Sequence, residues 1–178
     1  ILDEHIKTLR PQYYKQLNPP LTEKQIQLLE NQFNITIPDD IRKLYKWKNG
    51  QNINCSESFV NNSMFMPLQQ SLNSAQEMTS MIGLDFEIEN WWNTEWIPIL
   101  DNGGGDSICY DAGGCFTSTK GQIIEFWHAD NDRNVIAPDL NSIFQCIIDY
   151  YDSIPPEDFD SYFSIDLPIG YPIKFIVE

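Results

Sequence analysis

Residues 96–128 constrain the fold more than any other part of the chain, because two glycine-rich breaks there separate three short apolar runs. The first run is Trp96-Ile97-Pro98-Ile99-Leu100. It leads into Asp101-Asn102-Gly103-Gly104-Gly105-Asp106, where successive glycines permit positive φ and hence a turn. Residues 107–111 form the second run, and the loop 112–121 leads to the third at 122–128. In that third run Ile124 and Phe126 fall on one face and Ile123, Glu125 and Trp127 on the other, the two-residue period of a strand. Strand, turn, strand, loop, strand predicts an antiparallel meander. Pro98 cannot donate to a ladder, so it belongs at an edge or early in its strand.

Helical patterns flank this region. Ile6, Leu9, Tyr13 and Leu17 predict an amphipathic helix over 3–17, stopped by Asn18-Pro19-Pro20. Thr22 with Gln25 three residues on is a capping box, and Leu21 and Ile26 stand where a hydrophobic staple forms. Ile26, Leu29 and Phe33 then face the core. A third helix begins at Asp39 and Asp40, with Lys43, Lys46 and Lys48 towards its negative end and Gly50 placed to terminate it. Residues 51–66 read as a loop with a short strand near 63–68, residues 71–81 as a helix ended by Gly83, and 85–95 as a surface loop. Leu140, Ile143, Phe144, Ile147 and Tyr151 mark a final helix over 140–151. An acidic extension, 153–178, closes on a candidate strand at 173–177.

At 178 residues this is material for one α+β domain with a single core. No apolar run approaches the ~20 residues of a membrane span, and no secretory signal is visible at the start. The four cysteines show no zinc-finger spacing and predict free, mostly buried thiols in a reducing compartment. Charge is distributed unevenly: residues 1–50 carry 8 basic and 6 acidic side chains, residues 51–178 only 3 basic against 20 acidic. A net of −17 over that stretch repels nucleic acid and anionic membranes and favours cationic partners. The same charge also serves a surface that is merely kept solvated.

Three blocks in order resemble the SUKH superfamily, the Smi-one/Knr-four type of domain. The first is Leu29-Glu30, Ile37-Pro38-Asp39 and the helix ending Asn49-Gly50. The second is Trp96-Ile97-Pro98-Ile99 with Gly105-Asp106 and Ile108-Cys109-Tyr110-Asp111. The third is Gly121, Ile123-Ile124, Phe126-Trp127-His128 and the helix 140–151. The blocks span about 21–151. The resemblance implies a mixed, mostly antiparallel sheet with helices mainly on one side, and no catalytic residue. It implies a protein-binding role: bacterial members neutralise toxin domains, often nucleases or deaminases, and fungal members act as regulatory scaffolds in cell-wall synthesis. Under it, Trp96 anchors the core edge, Gly50 and Gly105 satisfy backbone geometry, and Asp106 and Asp111 bond turn amides.

Against the residues, catalysis has little to use. His5 and His128 are the two histidines, and no nucleophile motif accompanies them. Asp101 and Asp130 each start a calcium-loop pattern that then fails, at Gly103 and Ala112 for the first and at Val135 and Asn141 for the second, so turn formation explains these segments. No metal or cofactor is expected. Aromatics among acids offer more: Glu89, Trp91, Trp92, Glu95, Asp101, Glu125, Trp127, Asp130 and Asp132 are the candidate partner-binding residues, since interfaces set aromatic anchors within charged rims. The competing reading is that the tryptophans cover the sheet. The expectation is a non-catalytic cytoplasmic immunity protein that holds a basic toxin through an acidic surface, with a regulatory interaction scaffold as the alternative.

Overall fold

The computed structural model describes residues 1–160 and 163–178. Its helices are α1 (Leu2–Leu9), α2 (Pro11–Tyr14), α3 (Glu23–Phe33), α4 (Asp39–Trp47), α5 (Leu68–Ser80) and α6 (Leu140–Ser153). Its strands are β1 (Met64–Phe65), β2 (Trp96–Asp101), β3 (Ser107–Asp111), β4 (Gln122–Phe126) and β5 (Val135–Ala137). The strands form one sheet in the order β1-β2-β3-β4-β5. All four pairings are antiparallel, which puts the sheet at the antiparallel end of the expected mixed type. The α+β class and the meander hold.

The pleat sorts side chains into two layers. Ile97, Tyr110, Ile123 and Ile136 join a large core with Ile6, Ile26, Ile41, Tyr45, Leu72, Ile143 and Ile147 from the helices. Trp96, Cys109, Ile124, Phe126 and Val135 face the other way, into a smaller core. There α5 contributes Ala75 and Met78, and the rest comes from loops and the C-terminal tail: Trp92, Phe86, Phe116, Tyr171 and Phe175. Helices therefore do pack mainly on one side. Each aliphatic side chain fully buried this way stabilises by about 1.5–3 kcal/mol relative to exposure.

Local signals account for the helices. Thr22 Oγ1 accepts from the Gln25 N–H at 3.3 Å while Gln25 Oε1 accepts from the Thr22 N–H at 2.8 Å, completing the capping box. The Asp139 side chain accepts from the Ser142 N–H at 2.7 Å and starts α6.

Two expectations about helix ends are corrected. The helix over 3–17 is broken: Arg10 leaves helical geometry (φ −132°, ψ 58°) and Pro11 starts a separate turn of helix. A proline disfavours helical geometry in the residue before it. Gly50 is not the cap of α4, which ends at Trp47 with an extended Lys48. A Cβ on Gly50 would lie 2.3 Å from Pro67 N and 2.4 Å from Met66 C, so close backbone passage is what requires glycine there. The cysteines are free, but Cys109 alone is fully buried.

Both margins of the sheet are covered. At β1, Phe65 O accepts from Gln51 N (2.8 Å) and Phe65 N donates to Gln51 Oε1 (2.9 Å). Beyond β1, Met66 N donates to Ile99 O and Ser71 Oγ donates to Pro98 O, so Pro98 sits where β1 does not reach, beside a register shift. At β5 the tail pairs in isolated bridges, Val135 with Ile173 and Asp132 with Ile176, rather than as the regular strand expected at 173–177. No helix is long and apolar enough to cross a membrane among the described residues.

Candidate partner-binding surface

The β2–β3 turn is closed by its own side chains. Asp101 Oδ1 accepts from Gly103 N (2.8 Å), and Asn102 Oδ1 accepts from Gly104 N (2.8 Å) and Asp106 N (3.1 Å). Asp106 does not chiefly bond turn amides, as expected, but reaches across to the end of β4. It accepts from His128 N at 3.0 Å and Asn102 Nδ2 at 2.8 Å, and its Oδ1 lies 2.8 Å from His128 Nδ1. Burial raises the Asp106 carboxyl, yet the His128 and Asn102 bonds outweigh it and hold the group below the usual carboxylate range. Gly105, at φ +103°, lets the His128 ring approach: a Cβ there would stand 3.1 Å from it. Asp111 does bond turn amides. It is buried and accepts from Gly113, Gly114 and Cys115 N–H groups and from Gln122 Nε2. No cluster able to hold a metal ion occurs among the described residues.

Beside that turn, Asn61, Asn62, Ser63, Asn102, Asp106, Ser107, Ile108, Glu125 and Trp127 line a hollow of about 180 Å³. Strand alternation places Glu125 opposite Ile108, and Trp127 follows with 42% of its surface exposed. Glu125 Oε2 accepts from Asn134 Nδ2 at 3.0 Å. Burial pushes the Glu125 carboxyl above its ordinary range, only partly offset by that bond.

The β4–β5 turn is organised from beneath by Arg133, which is fully buried. Its Nη1 donates to the carbonyls of Asp130 (2.7 Å), Asp132 (2.7 Å) and Trp127 (3.3 Å), while Nε and Nη2 donate to that of Trp91 (3.1 and 2.9 Å). The guanidinium carbon lies 4.7 Å from the Trp91 ring centroid and 4.8 Å from that of Phe126. Burial lowers its pKa to about 10, well above neutrality, so the charge stays. Sequence reasoning did not single out this residue. The available signal was that it is the sole arginine in 51–178.

Of the nine candidate residues, Trp91, Trp127, Asp130 and Asp132 are thus tied together through Arg133, with Glu125 and Asp101 beside the same end of the sheet. Glu95 is exposed at a separate hollow of about 390 Å³ that also holds Thr36, Pro38, Ala75 and Ile97, and Glu89 is exposed on the preceding loop. Trp92 is a correction. It is 3% exposed, donates from Nε1 to Thr79 Oγ1 at 3.3 Å, and meets Trp96 and Phe126 edge-on at 5.5 and 5.1 Å. It covers the sheet and offers nothing to a partner. Because Arg133 is internal, the exposed cations of 51–178 are Lys120 and Lys174.

The sequence pattern of the SMI1 / KNR4 family (SUKH-1) matches residues 20–146. The chain belongs to that family. SMI1 / KNR4 membership covers α3, α4, α5, the whole five-stranded sheet and the first half of α6, close to the span 21–151 over which the resemblance runs. The SMI1 / KNR4 family is in general non-catalytic. The turn residues Asp101 and Asp106, the hollow and Arg133 all lie inside the SMI1 / KNR4 match, whereas α1, α2 and the tail on β5 lie outside it. No curated protein matches the chain.

Proposed function

We propose that this member of the SMI1 / KNR4 family is a non-catalytic protein-binding domain that neutralises a basic toxin in the cytoplasm. One observation carries the reading: the carboxylates of Asp106 and Glu125 line one hollow with an exposed Trp127, and the sole arginine of this acidic stretch is turned inward, where it holds the turn that carries Asp130 and Asp132. An aromatic anchor with a charged rim is the composition of a protein interface. A nuclease or deaminase domain is cationic where it holds its substrate, so an acidic surface competes with that substrate and docks quickly. Its Trp127 surface covers the toxin's substrate groove.

The test is co-expression with the product of the adjacent gene, followed by affinity capture at low and high salt. The expected result is protection of the host cells and a Kd that rises about tenfold or more over that range. Capture of other proteins without protection identifies a regulatory scaffold instead, and salt-insensitive binding overturns the acidic-surface account.

A further inference from the structure

The hollow beside Trp127 has a composition that the acidic surface as a whole does not explain. Two carboxylates, Glu125 and Asp106, line one small cavity together with the amide side chains of Asn61, Asn62 and Asn102 and the half-open Trp127 indole. Asp106 already has partners in His128 and Asn102, whereas no Lys or Arg among the described residues lines the hollow to meet Glu125. Glu125 Oε2 is held by Asn134, but no donor among the described residues is placed on Oε1. Asn134 is itself buried, with 8% of its surface exposed, and its Oδ1 has no partner. That amide lies behind the cavity wall, so it fixes Glu125 Oε2 and leaves Oε1 as the carboxylate's open acceptor.

The cavity thus offers an open acceptor in Glu125 Oε1, negative charge and an aromatic surface. A guanidinium suits all three. It is planar, donates in several directions at once, and stacks on aromatic rings. An ammonium satisfies the charge but stacks less well, and an apolar side chain would strand the Glu125 carboxylate. The chain accommodates its own Arg133 in the same manner, between the Trp91 and Phe126 rings with carbonyl acceptors around it.

We propose that this hollow is an arginine-binding pocket, which receives a guanidinium from the basic protein partner. The proposal rests on the protein-binding reading above and assigns that partner's anchor residue. Glu125 and Asp106 pair with the guanidinium, Trp127 stacks on it, and the 61–63 turn walls the opposite side. Burial already holds Glu125 above the ordinary carboxylate range, so an entering cation relieves a cost present in the free protein.

The test uses N-acetyl-arginine N-methylamide as probe, with the lysine and norleucine analogues as controls, followed by the side-chain amide and indole resonances of the intact protein. Expected are saturable shifts at Trp127, Asn61, Asn62 and Asn102, several-fold weaker with lysine and absent with norleucine. Glu125→Gln and Trp127→Leu should each weaken arginine binding about tenfold. Both are partly exposed positions, and their unchanged resonances elsewhere report an intact fold. Shifts confined to other residues, equal binding of norleucine, or binding unchanged in both variants overturn the pocket. The probe needs no toxin, so the two readings fail separately. A protein that captures a basic partner but ignores arginine loses the pocket and keeps the function, and one that binds arginine yet protects against no toxin does the reverse.

Discussion

Arg133 directs two of its donors, Nε and Nη2, at a single acceptor, the main-chain carbonyl of Trp91, at 3.1 and 2.9 Å. The fork fastens the loop before β2 to the turn after β4, segments about forty residues apart in sequence that carry Trp91, Trp127, Asp130 and Asp132. No carboxylate forms an ion pair with this cation among the described residues. Carbonyl dipoles and ring faces surround its charge, and the nearby Asp130 and Asp132 carboxylates favour it from a distance.

Replacing Arg133 with Met keeps much of the volume and removes every donor. Four carbonyls then lose the arginine donor, and the expected cost is about 3 kcal/mol. Urea unfolding measures it. Tryptophan emission should shift as the Trp91 loop loosens, whereas an unchanged midpoint would show that the loop is held by packing alone.

Glu125 gives a pH signature. Its folded carboxyl titrates above its unfolded one because it is buried. The folded state therefore keeps the proton longer, and stability falls as pH rises from the ordinary carboxylate value through the raised one. Glu125→Gln removes that loss: the variant should be more stable than the parent at neutral pH and equal to it in acid. Urea midpoints across pH 3–8 decide it (about this range spans the ordinary carboxylate values).

Asp106 behaves in the opposite sense. Burial raises its carboxyl, but the His128 and Asn102 bonds hold it below its ordinary value. The stability this contributes is present above the ordinary carboxylate range and disappears as pH falls through the depressed value. Asp106→Asn should flatten that acid limb, as read from the same midpoints. It should also leave the His128 ring free to reorient, visible in its proton resonances.

Gly50 and Gly83 separate two reasons for a glycine. Both have positive φ, +67° and +77°, but a Cβ on Gly50 meets the Met66–Pro67 backbone within 2.6 Å, while one on Gly83 meets nothing within 4 Å. Gly83→Ala should cost about 1 kcal/mol through backbone strain alone. Gly50→Ala must push the chain before α5 aside and should cost about 3 kcal/mol or more. Thermal unfolding of the two variants side by side tests the distinction, and equal losses would contradict it.

What the sequence made legible was what neighbours in the chain decide. The Thr22–Gln25 box, the apolar spacing of the last helix over 140–151 and the three strands around the 101–106 turn are set by spacing over a few residues, and they fold as read. Pro11 carried its signal openly, since a proline breaks whatever helix precedes it, yet the apolar spacing of Ile6, Leu9 and Tyr13 pointed across it. β5 has only three residues, too few for a period, and it becomes a strand because β4 and the tail pair with it on either side. The site was half legible for the same reason. Trp91 and Trp92 are indistinguishable as a polar-flanked pair, and only Thr79 and Phe126, distant in sequence, draw the second one inside.

The tail that lies along β5 also limits how this molecule can be recognised. Val135 exchanges both main-chain bonds with Ile173, Arg133 N donates to Phe175 O and Val177 N donates to Asn131 O, while Gln51 occupies the outer amide and carbonyl of Phe65. A foreign polypeptide seeking to zip itself on as an extra strand finds the outer main-chain groups of Phe65 and Val135 already taken. Visitors must instead read loop ends and side-chain chemistry, unless the C-terminal segment first peels away and lends them its place.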